Sequence, residues 1–139
     1  MKQTCKNCIM LLIILICLSV IVLANSDYER FQSKYNQEYE IATTGMSSFK
    51  IVNDTLIDLN VKTWSRIFKG NATYVQFKYK KTQNTVIHTH ISDYCYPSNM
   101  DLDFLNNSKI MKLSIIICNK EILYMFKDNN EIKYFRVDK

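Results

Sequence analysis

The nine residues Ile110–Cys118 (IMKLSIIIC) form a nearly continuous aliphatic run, interrupted only by Lys112 and Ser114. A β-branched stretch of this kind fits a central strand covered on both faces. Such a strand needs neighbours on either side and packed layers above and below, so the chain must organise around a sheet.

The segments on either side supply those neighbours. Ser26 followed by Glu29 reads as a capping box, and Tyr28, Phe31, Tyr35 and Tyr39 share one helical stripe, which predicts a first helix to about Glu38. From Glu40 the pattern turns to strands. Glu40–Phe49 is rich in Thr and Ser and broken by Gly45, while Lys50–Val52 and Thr55–Val61 flank an Asn53-Asp54 turn, a hairpin signal. Thr73–Lys81 alternates, with Thr73, Val75, Phe77 and Tyr79 on one face and Gln76, Lys78 and Lys80 on the other. Thr85–Ile91 is a further strand, on which Val86, His88 and His90 point the same way. Ser98-Asn99-Met100-Asp101 opens a short helix to about Asn107, with Leu102 and Leu105 facing inward. Asn119-Lys120 turns the central run into Glu121–Phe126, and Asp128-Asn129-Asn130 turns again into Glu131–Val137. The expected architecture is α/β: one domain over residues 25–139, a mixed β-sheet flanked by helices.

Ahead of it, Ile9–Ala24 is sixteen residues without a charge, preceded by Lys2 and Lys6. That length lies between a short membrane helix, which wants about 20 residues, and a signal-peptide core, and Val22-Leu23-Ala24 offers a cleavage site before Asn25. Residues 1–24 are thus a signal-anchor or a signal peptide. Positive charge before the run sends residues 25–139 across the membrane in either case, so the domain is expected to be anchored and extracytoplasmic, or secreted. Cys5 and Cys8 form a lone CxxC with no second pair, weak evidence for zinc beside a bilayer.

Two glycines in 139 residues exclude a Gly-rich phosphate loop. Lys2 and Lys6 account for two of the net +5, and the remaining +3 does not argue for nucleic acid. Lysines interleaved with aromatics over 73–81 are the wet side of a period-two strand, not a base-stacking platform.

His88 and His90 are the only histidines. On a strand their spacing aims both imidazoles at one side, about 7 Å apart along the backbone, close enough to converge on one metal. Asp101 adds a carboxylate after the chain has turned back. A catalytic zinc takes three protein ligands and keeps a fourth position for water. Taken singly, the histidines also fit the polar side of a half-buried sheet, and Ser98 with Asp101 an ordinary capping box.

Together, His88-Thr89-His90, seven residues, Ser98, two residues and Asp101 resemble the JAMM signature, H-[ST]-H-x7-S-x2-D, of the JAB/MPN/Mov34 zinc metalloproteases. The chain is similar to the compact archaeal-type members of that family. The resemblance runs from Glu40 to Glu121–Phe126 and implies a cytidine-deaminase-like JAB/MPN fold and a zinc cofactor held by His88, His90 and Asp101. It further implies Ser98 as support for the oxyanion and an upstream glutamate as general base. Glu40, 48 residues before His88 and followed by Ile-Ala-Thr-Thr-Gly, is the choice, with Glu38 as runner-up. The family's proline after the second histidine is replaced here by Ile91. The implied activity is hydrolysis of an amide or isopeptide bond in a protein or peptide substrate, in that family at the tail of ubiquitin or a ubiquitin-like modifier. The alternative from a different class is a non-catalytic, membrane-tethered interaction domain of MPN type. A zinc nucleobase deaminase fails, because the chain has neither a histidine two residues before a glutamate nor a Pro-Cys-x-x-Cys pair. Cys95 and Cys118 either pair, which requires an oxidising compartment, or stand as separate thiols.

Overall fold

Leu113–Ile117 is the strand on which the sheet is centred, and all five of its residues are buried. The computed structural model describes Phe31, which is helical, and residues 38–139. The apolar run 9–24, the paired Cys5 and Cys8 and, Phe31 apart, the helix expected before Glu38 lie outside the described residues. No helix among the described residues is long and apolar enough to cross a membrane.

Seven strands make one sheet: β1 (Ile41–Val52), β2 (Thr55–Trp64), β3 (Phe68–Lys69), β4 (Thr85–Thr89), β5 (Leu113–Ile117), β6 (Glu121–Asp128) and β7 (Glu131–Asp138). Their order is β2-β1-β4-β5-β6-β7, with β3 also paired to β1. β4 and β5 run parallel and the other pairs antiparallel, so the sheet is mixed, as expected. A parallel pair needs a crossover. Here the crossover carries helix α1 (Asn99–Asn107), the one helical element wholly within the described residues. Among the described residues the sheet curls into a half-barrel with one short helix, so the expected flanking by helices is found only in part.

Turn chemistry fixes the two long hairpins. Asn53 and Asp54 have φ of 49° and 59°, and Asn129 and Asn130 of 49° and 68°. Two successive positive φ values are the mark of a type I′ turn, whose twist matches the strands it joins. β1 runs unbroken through Gly45, contrary to the expected interruption; the irregularities are register shifts at Met46/Ser47 and Ser48/Lys50. At the second, β2 contributes the extra residue, Asp58 takes a φ of 54°, and its carboxylate accepts from Lys50 Nζ at 2.8 Å.

Cys95, Leu105, Met111, Ile116, Cys118, Leu123 and Met125 form a buried cluster under α1, with Leu102 packed against it. The inward stripe expected of the short helix is therefore present. Lys133 Nζ, on β7, lies 2.6 Å from Asp54 in the β1–β2 turn and 2.9 Å from Asp128, so the curl brings two distant hairpin turns together.

The strand expected over Thr73–Lys81 is not part of the sheet. Val75 and Phe77 are more buried than their neighbours, so the alternation is real, but a ladder also needs a free strand edge. β1 already has β2 and β3 on one side and β4 on the other. The segment packs by side chains instead: Phe77 meets Phe104 of α1 edge-on at 5.2 Å, and Tyr79 meets it at 6.0 Å.

Candidate metal centre

β4 sits between β1 and β5, with His88 opposite Ala42 on one side and Ile116 on the other. The strand's register therefore sets where its imidazoles go. His90 lies one residue beyond β4, but its N–H still donates to Ile117 O at 3.0 Å, so the backbone stays fixed at the strand end. Thr89, between the histidines, is buried and accepts from Ile41 N at 2.9 Å through its hydroxyl. That bond ties the start of β1 to the end of β4.

The same register places Glu40. The β1–β4 ladder ends at the pair Ala42–His88, and its register continued two places sets Glu40 level with His90. Directly opposed residues share a face of the sheet. Glu40 is thus on the histidine face, 7% exposed, and lines the same cleft. Its N–H donates to Asn71 O at 2.7 Å and its carbonyl accepts from Gly70 N at 2.8 Å. Glu38 is exposed and does not line the cleft.

Asp101 arrives from the other direction. Ser98 is the N-cap of α1, and its hydroxyl accepts from Asp101 N at 3.1 Å. In return Asp101 Oδ2 accepts from Ser98 N at 2.7 Å and from Ser98 Oγ at 2.6 Å. The capping box expected from the sequence is therefore present, and it holds the carboxylate against the histidines. His88 Nε2 lies 2.9 Å from Asp101 Oδ1, His90 Nε2 3.3 Å from Oδ2, and the two Nε2 atoms are 3.1 Å apart.

These separations fit a metal. An ion with ligands at about 2.0–2.1 Å in tetrahedral array holds its donors about 3.3 Å apart. The three candidate donor atoms lie within 4.8 Å of one another. Lone pairs turned toward one point repel unless a proton or a cation lies between them, and two imidazoles with one carboxylate are a donor set suited to zinc. A ligand histidine commonly passes its other ring N–H to a carbonyl. The His90 ring hydrogen-bonds the Tyr96 backbone, whereas His88 Nδ1 is buried without a partner among the described residues, so that ring is held by packing and by Asp101 at its Nε2.

The electrostatics separate the two carboxylates. Burial opposes the charged form of Asp101, but hydrogen bonds from His88, His90 and Ser98 and the charge of His88 outweigh it and hold the carboxyl well below the usual range. Burial raises Glu40 above its ordinary value, against the pull of His90 and His88 and with the help of Asp101. His90 is desolvated, which disfavours its cation, yet Asp101 and Glu40 raise it overall. One acid is held ionised and the other is pushed toward taking a proton, a separation typical of a ligand and a base.

The cleft at this site has a volume of about 790 Å³. Its far wall is the segment Ala72–Lys78, and Arg66 and Phe68 also border it. None of these wall residues is legible in the sequence as part of a site, because their place depends on the route of an unpaired segment. Thr89 is the exception. It is buried between two candidate ligands, and a hydroxyl there calls for a partner.

Cys95 and Cys118 form a disulfide across 23 positions, with Cα atoms 5.5 Å apart. It joins the loop between His90 and Ser98 to the residue after β5. Of the two alternatives left by the sequence, pairing is the one found. No family profile, no curated protein and no solved structure matches this chain.

Proposed function

We propose that the protein is a zinc-dependent hydrolase of amide bonds, acting on a peptide or isopeptide substrate. The observation that carries this reading is the convergence of His88, His90 and Asp101 on one point, with Glu40 on the same face of the sheet. The JAMM-like spacing adds the reaction class and the preference for zinc.

Bound zinc would supply Lewis acidity, lowering the pKa of a coordinated water to about 7. His88, His90 and Asp101 would hold the ion. Glu40 accepts the proton of the water that attacks the substrate carbonyl carbon, then delivers it to the departing amine. Water is consumed, the C–N bond breaks, and a carboxylic acid and an amine result. Ser98 supports the oxyanion by turning its hydroxyl proton from Asp101 Oδ2 toward the substrate. Until it turns, the same hydroxyl positions a ligand.

The disulfide supports an oxidising compartment, in agreement with the orientation implied by Lys2 and Lys6 ahead of the apolar run. The domain in this reading is membrane-tethered or secreted, and its substrate is an extracytoplasmic peptide. Ubiquitin-like conjugates are the family's alternative, and a tethered scaffold the non-enzymatic one. The test is metal content by mass spectrometry together with a peptide and isopeptide cleavage screen, with and without chelator. One zinc per chain and chelator-sensitive cleavage are expected. A chain that takes up no zinc and cleaves nothing overturns the reading.

A further inference from the structure

The cleft around the metal centre carries a charge pattern that its chemistry does not require. Glu40 and Asp101 supply two carboxylates, which a divalent ion would balance. Arg66 and Lys78 border the same cleft and are exposed, and neither forms an ion pair among the described residues. The Arg66 guanidinium lies 5.0 Å from the centre of the Phe68 ring, which holds the charge at the rim. Val75, Phe77 and Phe104 give the cleft apolar surface, with Phe77 and Phe104 packed together, beside polar Thr73, Gln76 and Ser98.

The geometry points to an acidic peptide as the substrate class of this site, one with a large apolar side chain beside the scissile bond and a carboxylate within reach of Arg66 and Lys78. The inference rests on the hydrolase reading, because the metal sets the charge balance. Loaded with a divalent ion, the cleft has a surplus of positive charge contributed by these two side chains alone. Unpaired cations at a rim favour partners of opposite sign and penalise like charge. The aromatic walls offer a phenylalanine or leucine a dry surface, which a glycine-rich tail would not use.

The experiment is fluorescence anisotropy on the native full chain loaded with zinc in detergent, using peptides with a non-hydrolysable ketomethylene link after the central residue, so that they are not consumed and Glu40 keeps its charge. Three labelled peptides of equal length are compared: Phe flanked by Asp, Phe flanked by Lys, and Ser flanked by Asp. The acidic Phe peptide is expected to bind about tenfold more tightly than either twin. The same comparison with Arg66→Gln/Lys78→Gln should bring the Asp and Lys peptides to within about twofold of each other. Both substitutions are at exposed positions, so folding is not at stake. Metal content is measured on the same samples. Equal binding of the Asp and Lys peptides by zinc-loaded protein, or a preference that survives the double substitution, overturns the substrate inference and leaves the hydrolase standing. Protein that prefers the acidic peptide but retains no zinc overturns the hydrolase reading and leaves an anion-binding cleft.

Discussion

At the scale of single residues, the two histidines were legible because strand periodicity converts a spacing of two into a shared direction. Glu40 follows from the same rule once the β1–β4 register is known. The Tyr96 backbone bond to His90 was not legible, since it depends on the path of a loop. Four substitutions separate the roles. His88→Ala removes one of three candidate ligands and should weaken zinc binding by about 100-fold or more, read by competition with a colorimetric chelator. Glu40→Gln keeps shape and volume and should retain zinc while lowering turnover by about 10²–10⁴. Were Glu38→Gln to show that phenotype instead, the base would be the exposed residue two positions earlier. Ser98→Ala discriminates two functions of one hydroxyl. A role confined to the oxyanion lowers kcat at unchanged zinc affinity, and a role through Asp101 weakens zinc binding as well. The 2.6 Å bond to Asp101 leads us to expect both.

At the scale of elements, period two identified β4 and the β6–β7 hairpin, and paired positive-φ turns closed both long hairpins. It misplaced residues 73–81 for an instructive reason. Alternation reports which side chains face apolar surroundings, and pairing depends on whether a neighbouring edge is vacant. Gly70 shows how tightly the unpaired segment is seated. A Cβ there would lie 2.1 Å from Tyr74 O and 2.6 Å from Val75 Cα, both backbone atoms that cannot swing aside. Gly70→Ala should therefore displace the cleft wall at a cost of about 1–3 kcal/mol. The candidate ligands come from the end of β4 and from α1, whereas Gly70 N–H donates to Glu40 O, so zinc content should hold while peptide binding and turnover fall. Leu105→Ala acts on the opposite wall. Leu105 is fully buried beneath α1, the helix that carries Asp101, and its truncation should cost about 2–5 kcal/mol. Here zinc affinity should fall along with stability, as a denaturant melt and a metal titration on the same variant would show.

At the scale of the whole molecule, the sheet's order was beyond reach of the sequence, because the choice of β1 over β6 as a neighbour of β4 is made by long-range packing. The disulfide is the device that connects this packing to the site. Cys95 lies five residues after His90 and three before Ser98, and Cys118 directly follows the strand residue, Ile117, whose carbonyl His90 N–H reaches. Closing a loop of 23 positions removes chain entropy from the unfolded state worth about 3 kcal/mol. For a domain of this size that corresponds to roughly 12–24 °C in Tm. Cys95→Ser/Cys118→Ser should show a loss of that order, and reductant should produce it in the native chain and leave the double variant unchanged. The loop released is the one whose Tyr96 backbone orients His90, so zinc affinity should fall in step with the melting temperature. A double variant that melts lower yet binds zinc as tightly as the native chain would show that α1 and β4 hold the ligands unaided. The bridge would then serve stability alone.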